Sequence, residues 1–246
     1  MTKNTLAKTF ASLLLFGLAS ASTFSFAFVD LSNRSASDMA QDAGRKPIEI
    51  IQFAQVKQGD KVLDLLAGGG YYSELLSRAV GEQGRVTLQI PNAYLTYAKK
   101  SLDERLANNR LKNVDYLLSE ADDLKLKSQQ YDSAFLVLGF HDMFFQQAGW
   151  NFSADVVMPQ VLKSLKPGGK LLVIDHNAEK DSGIRDVQTL HRIEVDFAIK
   201  ELEQRGFKLI KRSNMLENLA DDYTQSVFTP ELRRKTDRFV LLFEKV

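Results

Sequence analysis

Short apolar runs alternate with longer amphipathic ones along most of this chain. KVLDLL, GRVTLQI, VDYLLSE, YDSAFLVLGF and KLLVIDH are brief and rich in aliphatic residues, as strands are. Between them lie YYSELLSRAV, YLTYAKKSLDERLANNRL and ADVVMPQVLKSL, whose apolar residues recur at helical spacing: Leu95, Ala98, Leu102 and Leu106 in the second. An earlier segment, RKPIEIIQFAQV, sets Pro47 in the first turn of a helix with Ile50, Ile51, Phe53 and Ala54 on one face. TLHRIEVDFAIKELEQRG reads as one long amphipathic helix closed by Gly206.

This alternation predicts an open, mostly parallel α/β sheet with helices on both faces. YDSAFLVLGF is apolar throughout and belongs mid-sheet, covered on both sides. FKLIKRS and RFVLLFEKV have no helical pattern between them, so the seventh and last strand is expected to run antiparallel at one edge. The polar stretch from Asn214 to Asp237 that separates them is long for a connector and reads as a substrate-side flap or a disordered segment.

The first residues break the pattern. MTKNTLAKTFASLLLFGLASAS joins Lys3 and Lys8 to an apolar run from Phe10 to Leu18 and a small-residue end at Ala19, Ser20 and Ala21. The run is shorter than the roughly 20 residues of a membrane span and has the three parts of a secretory signal. The expected organisation is a signal peptide over 1–21, a linker or irregular arm over 22–44, and one domain over 45–246. An exported, periplasmic protein without stable membrane insertion after signal removal follows; an uncleaved anchor is the alternative. Loss of Lys3 and Lys8 takes the formal charge from +1 to −1, and with Lys+Arg 32 against Asp+Glu 31 no broad field gathers nucleic acid. The partner expected is a small molecule. Cysteine is absent, which excludes thiolate nucleophiles and disulfides, so stability rests on a core that 44% hydrophobic residues can fill.

In a parallel sheet ligands bind beyond the carboxyl ends of the strands. Those ends carry LAGGGYY, QIPNAY, SEADDL, GFHDMFF and DHNAE, and all three histidines, His141, His176 and His191, fall at or after the fourth and fifth.

VLDLLAGGGYYSELL, the ADDL after the third strand, LKPGGKLLVID and the closing strand pair resemble the class I S-adenosylmethionine-dependent methyltransferases, over about Arg45 to Val246. RKP, FHDM, DHNAE, LHRI and TDRFVLLFEK resemble in particular a group of exported predicted methyltransferases of bacteria. The resemblance implies a Rossmann-like, doubly wound, seven-stranded sheet and S-adenosylmethionine as cofactor. It implies Asp64, Ala67, Gly68, Gly69, Gly70 and Tyr72 around the methionine half, Gln89 at the ribose hydroxyls, and Asp122 and Asp123 at the adenine amino group. Glycines suit that loop because they let a ligand lie against the backbone. A tight turn at the loop, and a solvated acidic turn at Asp122 and Asp123, are the structural alternatives. Two departures predict weakened binding: Leu66 fills the first glycine position of the family's loop, and Gln89 replaces an acid, removing charge assistance.

His141, Asp142, Asp175 and His176 are the candidate catalytic group, converging where a transferred methyl would lie. In one reading a histidine oriented by a carboxylate removes a proton from the acceptor. A divalent ion held by the same imidazoles and carboxylates is a second, not favoured, and no metal ligand is assigned. Mutual capping of loops is a third. His191, near the start of the helix after the fifth strand, reads as a surface or core helix residue, with a ring pointing back over the pocket as the alternative. The function expected is methyl transfer to a small molecule; a ligand-binding or sensing module on the same fold, or a metal-dependent enzyme, are the alternatives.

Overall fold

The computed structural model describes Met1 and residues 29–246, so the expected signal peptide lies outside the described residues. Seven strands form one sheet: β1 (Lys61–Leu65), β2 (Arg85–Ile90), β3 (Val114–Leu118), β4 (Tyr131–Val137), β5 (Leu165–His176), β6 (Phe207–Ser213) and β7 (Arg238–Lys245). Their order is β3-β2-β1-β4-β5-β7-β6. The first five pair in parallel, and β7 runs antiparallel to both β5 and β6. The antiparallel strand is therefore inserted one place from the edge.

Two-residue alternation sorts the core into two layers. Val62, Phe135, Leu172, Ile174, Val240 and Leu242 face one side, where α2 (Pro47–Phe53) and α3 (Tyr71–Val80) bury Ile50, Ile51, Leu75 and Leu76 against them. Leu63, Ala134, Leu136, Leu171, Val173 and Leu241 face the other, under α4 (Leu95–Leu106), α5 (Ala154–Ser164) and α7 (Val195–Gln204). Among the described residues no helix is long and apolar enough to cross a membrane.

Two elements differ from the sequence reading. Residues expected to form an irregular arm contain a ten-residue helix, α1 (Ala36–Arg45). Ser35 caps it by accepting from the Asp38 N–H at 3.1 Å, and its polar face is what docks: Asp38 reaches Arg105 and Asp42 accepts from the Tyr71 hydroxyl at 2.6 Å. Apolar periodicity has nothing to register there, because the contacts are polar. The expected long helix after β5 is split into α6 (Val187–Leu190) and α7, because His191 takes a left-handed conformation with φ of 54°. The chain then runs extended, with Ile193 bridged to Asn177, so that Arg192 can turn inward.

Arg192 is fully buried and forms a bidentate pair with Asp221, donating also to the carbonyls of Asn177 and Gln225. Asp221 accepts in addition from the Asp237 N–H at 2.7 Å. This anchor fixes the polar stretch before β7 as a flap, and carries Phe228 to the face of His191, ring centroids 4.8 Å apart.

Candidate active site

Strand order reverses between β1 and β4, and a cleft of about 1160 Å³ opens at the carboxyl ends of these strands. The glycine loop after β1 forms its floor; α1, the start of α4, the turn after β4, His176, His191 and the flap form its walls.

Leu66 begins the loop with φ of 52°, a left-handed conformation that explains why glycine suits this position. Its side chain points away from the loop into the core, 3.2 Å from where a Cβ on Gly139 would stand. Its N–H donates to Gln89 Oε1 at 3.1 Å, and Gln89 Nε2 donates to the Ser119 carbonyl at 3.0 Å. Gln89 is fully buried and lies off the cleft wall. The expected ribose contact is thus replaced by a structural one, because both ends of the amide are committed to backbone.

Gly68 and Gly69 line the cleft beside Ala67; Gly68 has φ of +55° and open space where a Cβ would point. Gly70 does not face the cleft. It caps α3, and a side chain there would meet Leu88 and Arg105 within about 3 Å. Asp64 sits behind the loop, accepting from Ser73 Oγ at 2.6 Å. Burial pushes its carboxyl up to about 7, only partly offset by Ser73, Arg105 and Arg45. Tyr72 is likewise buried away from the cleft, its hydroxyl donating to the Arg45 carbonyl; Tyr71 lines the cleft instead, under the Arg45 guanidinium. Asp122 and Asp123 are exposed and off the cleft wall: Asp122 accepts from the Asp123 N–H and Asp123 from the Lys125 N–H, the self-capping of an acidic turn.

The four candidate catalytic residues do come together. Asp175, fully buried, accepts from the backbone N–H of His141 at 2.8 Å and pairs with its Nδ1 at 2.8 Å, so it fixes ring and main chain at once. It acts through His141 and does not line the cleft. On the cleft side His141 Nε2 lies 3.2 Å from Asp142 Oδ1. Asp142 Oδ2 accepts from the Tyr94 hydroxyl at 2.5 Å, and its carbonyl accepts from Trp150 Nε1 at 2.6 Å. Burial alone would lower the basicity of His141, but the Asp175 and Asp142 carboxylates overcome it and push the ring up to about 9. The two carboxylates thus favour the imidazolium form of His141.

His176 is held by Thr236, its Nδ1 2.7 Å from the hydroxyl, and burial, with the charge of His141 opposing that of Asp175, pushes it down to about 3. His191, for which the sequence left both a surface or core place and a pocket-facing one, is a cleft residue. It stacks on Phe145 at 4.9 Å and meets His141 edge-on at 5.4 Å. Half burial, and then the charge of His141, hold it below the usual histidine range. Its left-handed backbone aims the ring into the cleft, a position that no helical pattern encodes.

The profile of the ubiE/COQ5 methyltransferase family matches residues 32–192. The chain belongs to that family. It is 28% identical to the ubiquinone/menaquinone biosynthesis C-methyltransferase UbiE of Shewanella pealeana and 30% identical to that of Shewanella piezotolerans; each match covers 70% of this chain and 62% of the relative. The chain thus spans less than two thirds of the length of these curated relatives. Among solved structures, a SAM dependent methyltransferase from Aquifex aeolicus has the same fold, with a TM-score of 0.58 and 21% identity over 84% of this chain and 98% of that one. The family match begins at Ser32 and takes in all of α1.

One residue outside the expected set joins the family's loop to its surroundings. Arg105 donates from Nε to the Gly69 carbonyl at 2.6 Å, and its guanidinium bonds both Asp38 of α1 and Glu74 of α3. In the sequence it is one more charge on an amphipathic helix.

Proposed function

We propose that this protein transfers the methyl group of S-adenosylmethionine to a small, flat, hydroxylated aromatic acceptor. The observation that carries the reading is continuity. One cleft at the switch point runs from the open backbone of Gly68 and Gly69 to the corner formed by His141 and His191. The open backbone of Gly68 fits the methionine half of the cofactor, and Asp64, behind the loop, holds the turn through Ser73. Gln89 is not part of that fit. When bound, the cofactor supplies an electrophilic methyl group.

The chain's own groups supply the rest. Among the described residues neither ring nitrogen of His191 has a hydrogen-bond partner, and its lowered basicity leaves it neutral and able to take a proton from an acceptor hydroxyl or carbon. His141, charged and immobilised by Asp175, offsets the negative charge of Asp142 beside the acceptor end of the cleft. Phe145, Phe228 and Trp150 give the acceptor end aromatic walls. The Shewanella relatives are named as C-methyltransferases, which makes ring-carbon methylation the first reaction to try.

Calorimetric titration with S-adenosylhomocysteine tests the reading, followed by transfer of labelled methyl from S-adenosylmethionine to hydroquinones. Saturable heat and a raised unfolding temperature are expected. Silence in both would leave a binding or sensing module for some other ligand, the reading that the inward turn of Gln89 favours.

Export to the periplasm through a cleaved signal over 1–21 belongs to the same proposal. It rests on Lys3, Lys8, the apolar run and the small residues at 19–21. Amino-terminal sequencing of the protein from a periplasmic extract, expected to begin at about residue 22 as the cleavage pattern dictates, is the check.

A further inference from the structure

His141, Asp142 and His191 each offer a ligand atom to one point in the cleft, and those atoms all lie within 4.8 Å of one another. The geometry points to a site for one divalent transition-metal ion, of the kind that imidazole and carboxylate bind, such as Zn²⁺, Fe²⁺ or Co²⁺.

Three features make this more than proximity. The donor set is two imidazoles and one carboxylate, all three lining the cleft. The surrounding groups are those that metal ligands need. His141 Nδ1 is held by the Asp175 carboxylate, which leaves Nε2 for an ion and raises its donor strength. Asp142 Oδ2 is held by the Tyr94 hydroxyl, which leaves Oδ1, the oxygen that faces His141 Nε2, for the same ion. Finally, among the described residues the His191 ring has no hydrogen bond to break, and its neighbours are the rings of Phe145, Phe228 and His141. Ligand bonds of about 2.0–2.2 Å require the three atoms to close by on the order of 1 Å, a ring rotation of His191. Binding displaces a proton from His141 Nε2, which leaves to solvent.

The consequence is a site with two exclusive uses. An ion there takes the lone pair that His191 offers as a proton acceptor, so a loaded site does not carry out the proton transfer proposed above. His176 is not among the residues whose ligand atoms lie within 4.8 Å of one another, and it is not a ligand.

The test is a titration of the full chain, cleared of metal by chelator, with CoCl₂. One equivalent should bind with visible d–d absorption, and proton NMR should show hyperfine-shifted exchangeable signals from two imidazoles. H191A and D142N should lose the absorption; D175N should weaken binding about 10–100-fold, as loss of an outer partner does; H176A should keep it. Absence of cobalt binding by the wild-type chain overturns the site, whatever the variants do, and so does binding that survives H191A and D142N or disappears in H176A. S-adenosylhomocysteine binding in the same samples reports on the methyl-transfer reading separately, so either idea can fail while the other stands.

Discussion

The backbone N–H of Leu66 donates to the side-chain oxygen of Gln89 at 3.1 Å, so the two residues that depart from the methyltransferase pattern are bonded to each other. Glycine at the first position of such a loop tolerates a positive φ without help; leucine at φ 52° is strained, by about 1–2 kcal/mol for a left-handed residue with a side chain. The buried amide of Gln89 meets the Leu66 N–H and the Ser119 carbonyl at once, and the leucine side chain fills core beside Gly139. Departures that read separately as two losses of cofactor contact form one local structural solution.

Gln89→Met should therefore cost stability. It strands a buried N–H and a buried C=O, each worth about 1–3 kcal/mol when left without a partner. Urea denaturation should show a loss of roughly 2–6 kcal/mol on the same basis. If Gln89 instead gripped a ribose, the variant would bind S-adenosylhomocysteine poorly with its unfolding midpoint unmoved.

The sheet was legible because it is written in aliphatic residues. Val62 and Leu63 on one strand, or Leu172 and Val173 on another, alternate faces by geometry alone, and helices with apolar stripes must cover both. What escaped was written in charge and in backbone conformation. α1 docks through Asp38 and Asp42, and His191 enters the cleft because one residue turns left-handed. The site was legible where strand ends determine it, as with His141 and Asp175. It was not legible where a side chain has two possible directions, as with Tyr71 against Tyr72 or Gln89 inward against outward.

Arg105 should be as important to the cleft as any loop glycine. Its guanidinium, 7% exposed, neutralises Asp38 and Glu74 and anchors the Gly69 carbonyl. Arg105→Met leaves two buried carboxylates short of a partner, a change that costs about 3–5 kcal/mol when a buried pair is broken. Arg110 still reaches Glu74, so the larger effect should fall on Asp38 and the docking of α1. Hydrogen exchange should show α1 losing protection ahead of α3; equal loss in both would contradict this.

Asp64 predicts a pH dependence of stability with a definite sign. Its carboxyl ionises near 3.8 in the unfolded chain and near 7 in the folded one, where burial is opposed only partly by Ser73, Arg105 and Arg45. Between those values the folded state binds more protons, so this contribution to stability is complete below about pH 4 and disappears as pH rises through 7. The slope is at most about 1.4 kcal/mol per pH unit. Asp64→Asn should flatten the urea midpoint across pH 4.5–8 relative to wild type.

His191 separates proton transfer from binding. With metal removed, His191→Ala should slow methyl transfer by about 10²–10⁴-fold, the usual contribution of a positioned base. S-adenosylhomocysteine should bind within about twofold of wild type, a shift of less than 0.5 kcal/mol, because the glycine loop is untouched. Added imidazole should recover part of the rate, since it can enter the space left between Phe145 and Phe228 and accept the proton there. It should recover nothing in His141→Ala, where the missing group is a buried cation clamped by Asp175 and not a solvent-facing base. Full activity in His191→Ala, or rescue in both variants alike, would return the proton-accepting role to His141 and require its imidazolium to give up the charge that two carboxylates hold there.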